Sequence, residues 1–139
     1  MKLVVDTNII ISALIKDSTA RKIIIKGNYD LISIAFSKKE IDKHKILIMR
    51  KANVNETEFE LIINRLFEKI IFLDDEIIKT RIKEAEKVMD KVDPDDTPFI
   101  AAALAINSDI WSDDKHFLRQ NIIKIWKTTN LFNKIFIKK

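Results

Sequence analysis

Leu3-Val4-Val5-Asp6-Thr7-Asn8 runs from three apolar residues straight into three polar ones. A short apolar run that ends abruptly at a polar residue reads as a buried strand, here residues 2–5. Further along the chain, runs of the same kind predict strands at 30–35, 70–73, 110–112 and 123–126. The stretches between them carry helical periodicity. They predict helices at 9–15, 19–26, 37–52, 55–69, 75–89 and 97–106. Gly27-Asn28 stops the second helix. Ser37 with Glu40, and Asn55 with Glu58, have the spacing of capping boxes. On 75–89 the apolar side is Ile77, Ile78, Ile82, Ala85 and Met89. Pro98 suits a first helical turn and marks the start of 97–106. Phe117 and Leu118 fall on a short helical turn, and 131–137 is expected to close the fold. Strands separated by helices imply an α/β fold, a central parallel sheet with helices on both faces. Residues 1–139 are read as one domain.

Composition removes several chemistries. There is no Cys, which excludes disulfides, thiol catalysis and Cys-based zinc sites. The two histidines, His44 and His116, form no zinc-protease motif. Gly occurs once, at Gly27, so neither a P-loop nor a dinucleotide fingerprint is possible. Phosphate must then be handled by metal ions, helix N-termini or basic side chains. Asp6 and Asn8 interrupt the stretch that the apolar core of a secretory leader would occupy. No charge-free run approaches the roughly 18 residues of a membrane span. A cytoplasmic location is therefore expected. The net charge of +4 mildly favours polyanionic partners, although Lys-rich solvated faces produce the same number. The basic residues are dispersed except for Lys138 and Lys139 at the terminus.

In a parallel α/β sheet the ligand crevice lies beyond the carboxyl ends of the strands. Asp6 follows the first strand, and Asp113 and Asp114 follow the run Ile110-Trp111-Ser112. Asp93, Asp95 and Asp96 precede the helix at Thr97. Helix capping explains each of these acids taken singly. Together they would repel one another in one crevice unless a cation sat among them. Hard divalent cations are held by carboxylates and water, with phosphate completing the shell. Such a cation activates water and neutralises charge on the phosphate.

Val4-Val5-Asp6-Thr7-Asn8 resembles the opening motif of PIN-domain nucleases. Asp96-Thr97-Pro98-Phe99-Ile100-Ala101-Ala102-Ala103-Leu104 resembles the family's acid at the start of an Ala-rich helix. Trp111-Ser112-Asp113-Asp114-Lys115-His116-Phe117 resembles its final motif, and Glu40 is the best match to the remaining acidic position. The resemblance covers about Leu3 to Trp126. It implies a three-layer α/β/α sandwich and a Mg²⁺- or Mn²⁺-dependent ribonuclease. The VapC-like toxins of toxin–antitoxin pairs and RNA-processing nucleases are the related types. It carries over Asp6, Glu40, Asp96 and Asp114 as catalytic metal-binding acids. Thr7, Asn8 and Ser112 follow as supporting polar groups, with Asp113 able to share the role of Asp114. It further implies in-line attack by water on an RNA substrate, a homodimer and a possible antitoxin partner.

Lys39, Lys43 and Lys115 are the candidate substrate-binding cations near these acids. Asp93 and Asp95 read as solvated loop residues, and His44 and His116 as helical surface. Trp111 and Trp126 read as core. Two alternatives stand beside the nuclease. One is an inactive PIN-fold module that binds RNA or protein. The other is a Mg²⁺-dependent phosphatase or phosphotransferase, disfavoured because Asp6-Thr7-Asn8 lacks the second acid of an Asp-x-Asp pair.

Overall fold

The sheet has five strands, all parallel, in the order β3-β2-β1-β4-β5. They are β1 (Lys2–Val5), β2 (Asp30–Ile34), β3 (Ile70–Leu73), β4 (Asp109–Trp111) and β5 (Ile125–Trp126). The computed structural model describes residues 1–137. The dibasic Lys138 and Lys139 lie outside the described residues. β1 takes the centre because its three inner residues are fully buried, Leu3 and Val5 on one face and Val4 on the other. The order reverses at β1, with β2 on one side and β4 on the other. A reversal of this kind opens a crevice at the carboxyl ends of the strands.

On one face pack α1 (Thr7–Ile15), α2 (Thr19–Lys26), α4 (Lys45–Ala52) and α5 (Glu56–Phe67), through Ile10, Leu14, Ile23, Ile48 and Leu66. On the other pack α6 (Asp75–Lys79), α7 (Ile82–Met89) and α8 (Thr97–Ile106), through Ile78, Met89 and Ile100. The result is an α/β/α sandwich with one apolar core on each side of the sheet. Ala101, Ala102 and Ala103 are fully buried, and their small side chains let α8 lie close to the sheet. Among the described residues no helix is long and apolar enough to cross a membrane.

Two expected helices and one expected cap need correction. Residues 37–52 are two helices, α3 (Ala35–Lys43) and α4, separated at His44 with φ −102° and ψ 14°. α3 starts directly after β2, so Ser37 is its third residue and not a cap; the Asn55–Glu58 capping box does form. Residues 75–89 also split, because the Thr80 hydroxyl bonds the Ile77 carbonyl and Arg81 leaves the helical region at φ −125°. The break leaves Ile77 40% exposed instead of on the buried side. Residues 131–137 divide between α9 (Thr128–Phe132) and a π turn at Asn133–Ile137, with Leu131 seated in the core.

With a single glycine in the chain, Asn supplies the left-handed caps: Asn53 (φ 57°) ends α4 and Asn107 (φ 54°) ends α8. Gly27 serves a different need. Its φ is −72°, and a Cβ there would strike the Ile23 carbonyl.

Candidate metal centre

The sheet itself brings the first two acids together. The Asp6 amide bonds the Trp111 carbonyl at 3.1 Å, which extends the β1–β4 pairing up to the carboxylate. Ser112, one residue beyond β4, donates its hydroxyl to Asp6 Oδ2 at 2.8 Å and accepts the Asp114 amide at 2.9 Å. One buried hydroxyl thus ties the Asp6 carboxylate to the Asp114 main chain. Asp114 accepts the His116 amide at 2.9 Å and so starts the 3-10 turn Lys115–Arg119.

Asp96 arrives from the other face, at the head of α8. Asp6 and Asp96 both occupy N-cap positions, yet neither makes a side-chain capping hydrogen bond. Capping therefore does not account for Asp96, although it does operate at Asp114. Asp96 is 8% exposed, and its Oδ2 is buried with no hydrogen-bond partner. A buried carboxylate oxygen left bare is costly. Burial, then the neighbouring Asp93, Asp6 and Asp114, push its pKa up to about 7, opposed by His116. Burial also raises Asp6; the Ser112 hydroxyl and the Asn8 amide pull it back, and Asp114 pushes it up.

Glu40 projects from α3 into the same pocket as Asp6, Asn8, Asp93, Asp96 and Asp114. It stands apart from the tight group: the imidazole of His44 is its neighbour, at 3.7 Å. The Thr7 hydroxyl is engaged away from the carboxylates. It meets that of Ser37 at 2.8 Å; Ser37 meets Ser33 at 3.0 Å, and Ser33 donates to the Val5 carbonyl at 2.9 Å. This buried chain ties the end of β1 to β2 and to α3, the helix that carries Glu40. Lone serines in apolar runs were the only sequence signal for it. Asp113 turns away and accepts the Thr128 amide at 2.8 Å and its hydroxyl at 2.6 Å, so it anchors α9 and leaves the pocket to Asp114. Lys39, Lys43 and Lys115 are exposed and do not line the pocket.

Two residues are closer to the acids than their sequence context suggested. Asp93 caps the turn Pro94–Asp96 by accepting the Asp95 amide and faces the cluster. His116, read as helical surface, is folded back by the Asp114 cap. Its Nδ1 lies 3.3 Å from Asp93, 3.6 Å from Asp114 and 3.7 Å from Asp96. Trp111 is fully buried as read; Trp126 is only half-buried, packed against the edge of the core, and its indole donates to Asp109 at 2.9 Å.

A family model described as a PIN domain matches residues 4–135. The chain belongs to the PIN-domain family. No curated protein matches it. The PIN domain is a nuclease fold, and the group Asp93, Asp96 and His116 beside the strand-end acids could bind a metal ion. The donors fit such an ion. They are hard carboxylate oxygens, and the bare Asp96 Oδ2 is a buried acceptor that a cation would satisfy.

Proposed function

We propose that this PIN domain, one domain over residues 1–139, is a Mg²⁺- or Mn²⁺-dependent endoribonuclease that hydrolyses RNA phosphodiester bonds. The observation that carries the reading is the partnerless Asp96 Oδ2 inside a group of carboxylates that repel one another. Asp6, Asp96 and Asp114 would hold the cation, with Glu40 approaching from α3. When bound, the cation supplies Lewis-acid neutralisation of the phosphate and an acidified water.

The chain's own residues supply position. Ser112 holds the Asp6 carboxylate and the Asp114 main chain in one register. Asn8, exposed at the pocket mouth, is placed to meet substrate or a ligating water. The Ser33–Ser37–Thr7 chain fixes α3 and hence the wall that Glu40 presents. The net charge of +4 supports a polyanionic substrate. The fuller form of the reading is a VapC-like toxin or an RNA-processing nuclease, homodimeric and cytoplasmic, with an antitoxin as the partner in the toxin case.

The test is cleavage of a pool of linear and circular RNAs with Mn²⁺, with Mg²⁺ and with EDTA. Attack by water does not involve the ribose 2′-hydroxyl. The expected fragments therefore lack 2′,3′-cyclic phosphates, and circular RNA is opened. EDTA-resistant cutting, or cyclic phosphate ends, would refute the reading.

A further inference from the structure

We propose that His116, through Nδ1, joins Asp96 as a ligand of the proposed metal, with Asp93 as a further carboxylate donor, and that this nitrogen makes the centre favour Mn²⁺ over Mg²⁺. The inference rests on the metal-centre reading above and goes beyond it by adding a nitrogen donor.

Three donor atoms, one each from Asp93, Asp96 and His116, lie within 4.8 Å of one another. Neighbouring ligands on an octahedral ion with bonds of roughly 2.1 Å stand about 3.0 Å apart, and opposite ligands about 4.2 Å. The separations of Nδ1 from Asp93 (3.3 Å) and Asp96 (3.7 Å) fall between these limits.

The acids alone would not carry this. The independent observation is that two atoms in the cluster are buried with no hydrogen-bond partner, Asp96 Oδ2 and His116 Nδ1. Asp96 is 92% buried by the complement of its 8% exposure. A histidine serving only as a counter-ion would direct a ring N–H at one carboxylate in a well-formed hydrogen bond. Here Nδ1 faces three carboxylates and is hydrogen-bonded to none of them. That arrangement suits a lone pair aimed at a shared cation.

The turn holds the main chain of His116 in place. Asp114 accepts the His116 amide, and Phe117 is fully buried against Phe99 at the start of α8, ring centroids 6.4 Å apart. The backbone that carries the imidazole is thus anchored on both sides. Carboxylate and water suit Mg²⁺, whereas imidazole shifts preference toward transition-metal ions.

The test uses the full chain, metal salts and no RNA. Mn²⁺ and Mg²⁺ affinities are measured by calorimetry for wild type, His116→Asn, His116→Ala and Asp96→Asn. Pulsed EPR of the Mn²⁺-loaded proteins then looks for coupling to a ¹⁴N nucleus. The expected result is ¹⁴N coupling in wild type that vanishes in both His116 variants. Mn²⁺ affinity in these variants falls by about tenfold or more, the scale seen when metal-site groups are lost, while Mg²⁺ affinity changes little. An unchanged Mn²⁺-to-Mg²⁺ ratio, or bound Mn²⁺ without ¹⁴N coupling, overturns the inference and leaves the carboxylate centre standing. Absence of Mn²⁺ binding by wild type overturns both. Asp96→Asn separates the cases, since it should lose Mn²⁺ binding whether or not His116 is a ligand. The side chain of His116 is 42% exposed, so the two variants are expected to fold; matching far-UV spectra and melting curves check this.

Discussion

Replacing Asp96 with Asn should stabilise the metal-free protein at neutral pH and weaken it, relative to wild type, once Mn²⁺ is added. In the folded chain the Asp96 pKa is raised from 3.8 to about 7. A folded-state pKa above the unfolded value means the native state holds a proton that the unfolded chain releases. Stability therefore falls as pH rises from about 4 to about 7, and stays low above that. The rise corresponds to about 4 kcal/mol lost between the protonated and the fully ionised site. Asn escapes that loss but brings its own buried amide, which costs about 1–2 kcal/mol where it lacks partners. The net gain is roughly 2 kcal/mol at pH 8 in EDTA. For a chain of this size that is a rise in melting temperature of roughly 6–10 °C. At pH 5 wild-type Asp96 is largely protonated in the fold, so the gain should shrink to nothing or change sign. Saturating Mn²⁺ should reverse the order at pH 8, because a ligand at 100 times its Kd stabilises by about 2.7 kcal/mol and the variant has lost a ligand. Thermal melts at pH 5 and 8, with EDTA and with Mn²⁺, read all four values. A variant that melts below wild type at pH 8 in EDTA would refute the reasoning, as would a gap that does not depend on pH.

Ser112→Ala removes the hydroxyl shared by Asp6 and the Asp114 amide; RNA cleavage should fall by about 10–100-fold and stability by about 1–3 kcal/mol, read by initial rates and urea melts. Asp113→Ala should cost about 1–2 kcal/mol by loosening Thr128 yet leave metal binding and cleavage near wild type, which distinguishes it from Asp114. Asn55→Ala loses the capping box of α5 and should cost about 1 kcal/mol in denaturant unfolding, with no change in activity.

The sheet was legible in the sequence because parallel strands are apolar on both faces and end sharply, as Leu3-Val4-Val5-Asp6 does. The strand-end acids followed from that, since the carboxyl edge of β1 and β4 is fixed once the strands are placed. Helix breaks were harder to read. Nothing at His44 or Thr80-Arg81 is a Gly or Pro, and both breaks come from backbone angles and a local hydroxyl bond that tertiary packing selects. Ser37 illustrates the same limit: its spacing to Glu40 fits a cap, but a buried partner chain through Thr7 and Ser33 claims the hydroxyl. His116 and Asp93 were placed with the solvent because sequence spacing does not record a turn that folds back on itself. Asp113 and Asp114 are adjacent in sequence and point to different partners, a distinction only the three-dimensional path of the chain supplies.

Under the proposed function this acidic group drives metal-dependent cutting of RNA. The most direct test is single-turnover cleavage of one RNA by wild type and Asp96→Asn, stripped of metal and then titrated with Mn²⁺. No cutting without Mn²⁺, saturable cutting by wild type, and loss of at least about 100-fold in the variant are expected, given what a transition-state-stabilising group contributes. Equal cutting by the two proteins, or cutting by wild type that does not depend on added metal, would contradict it.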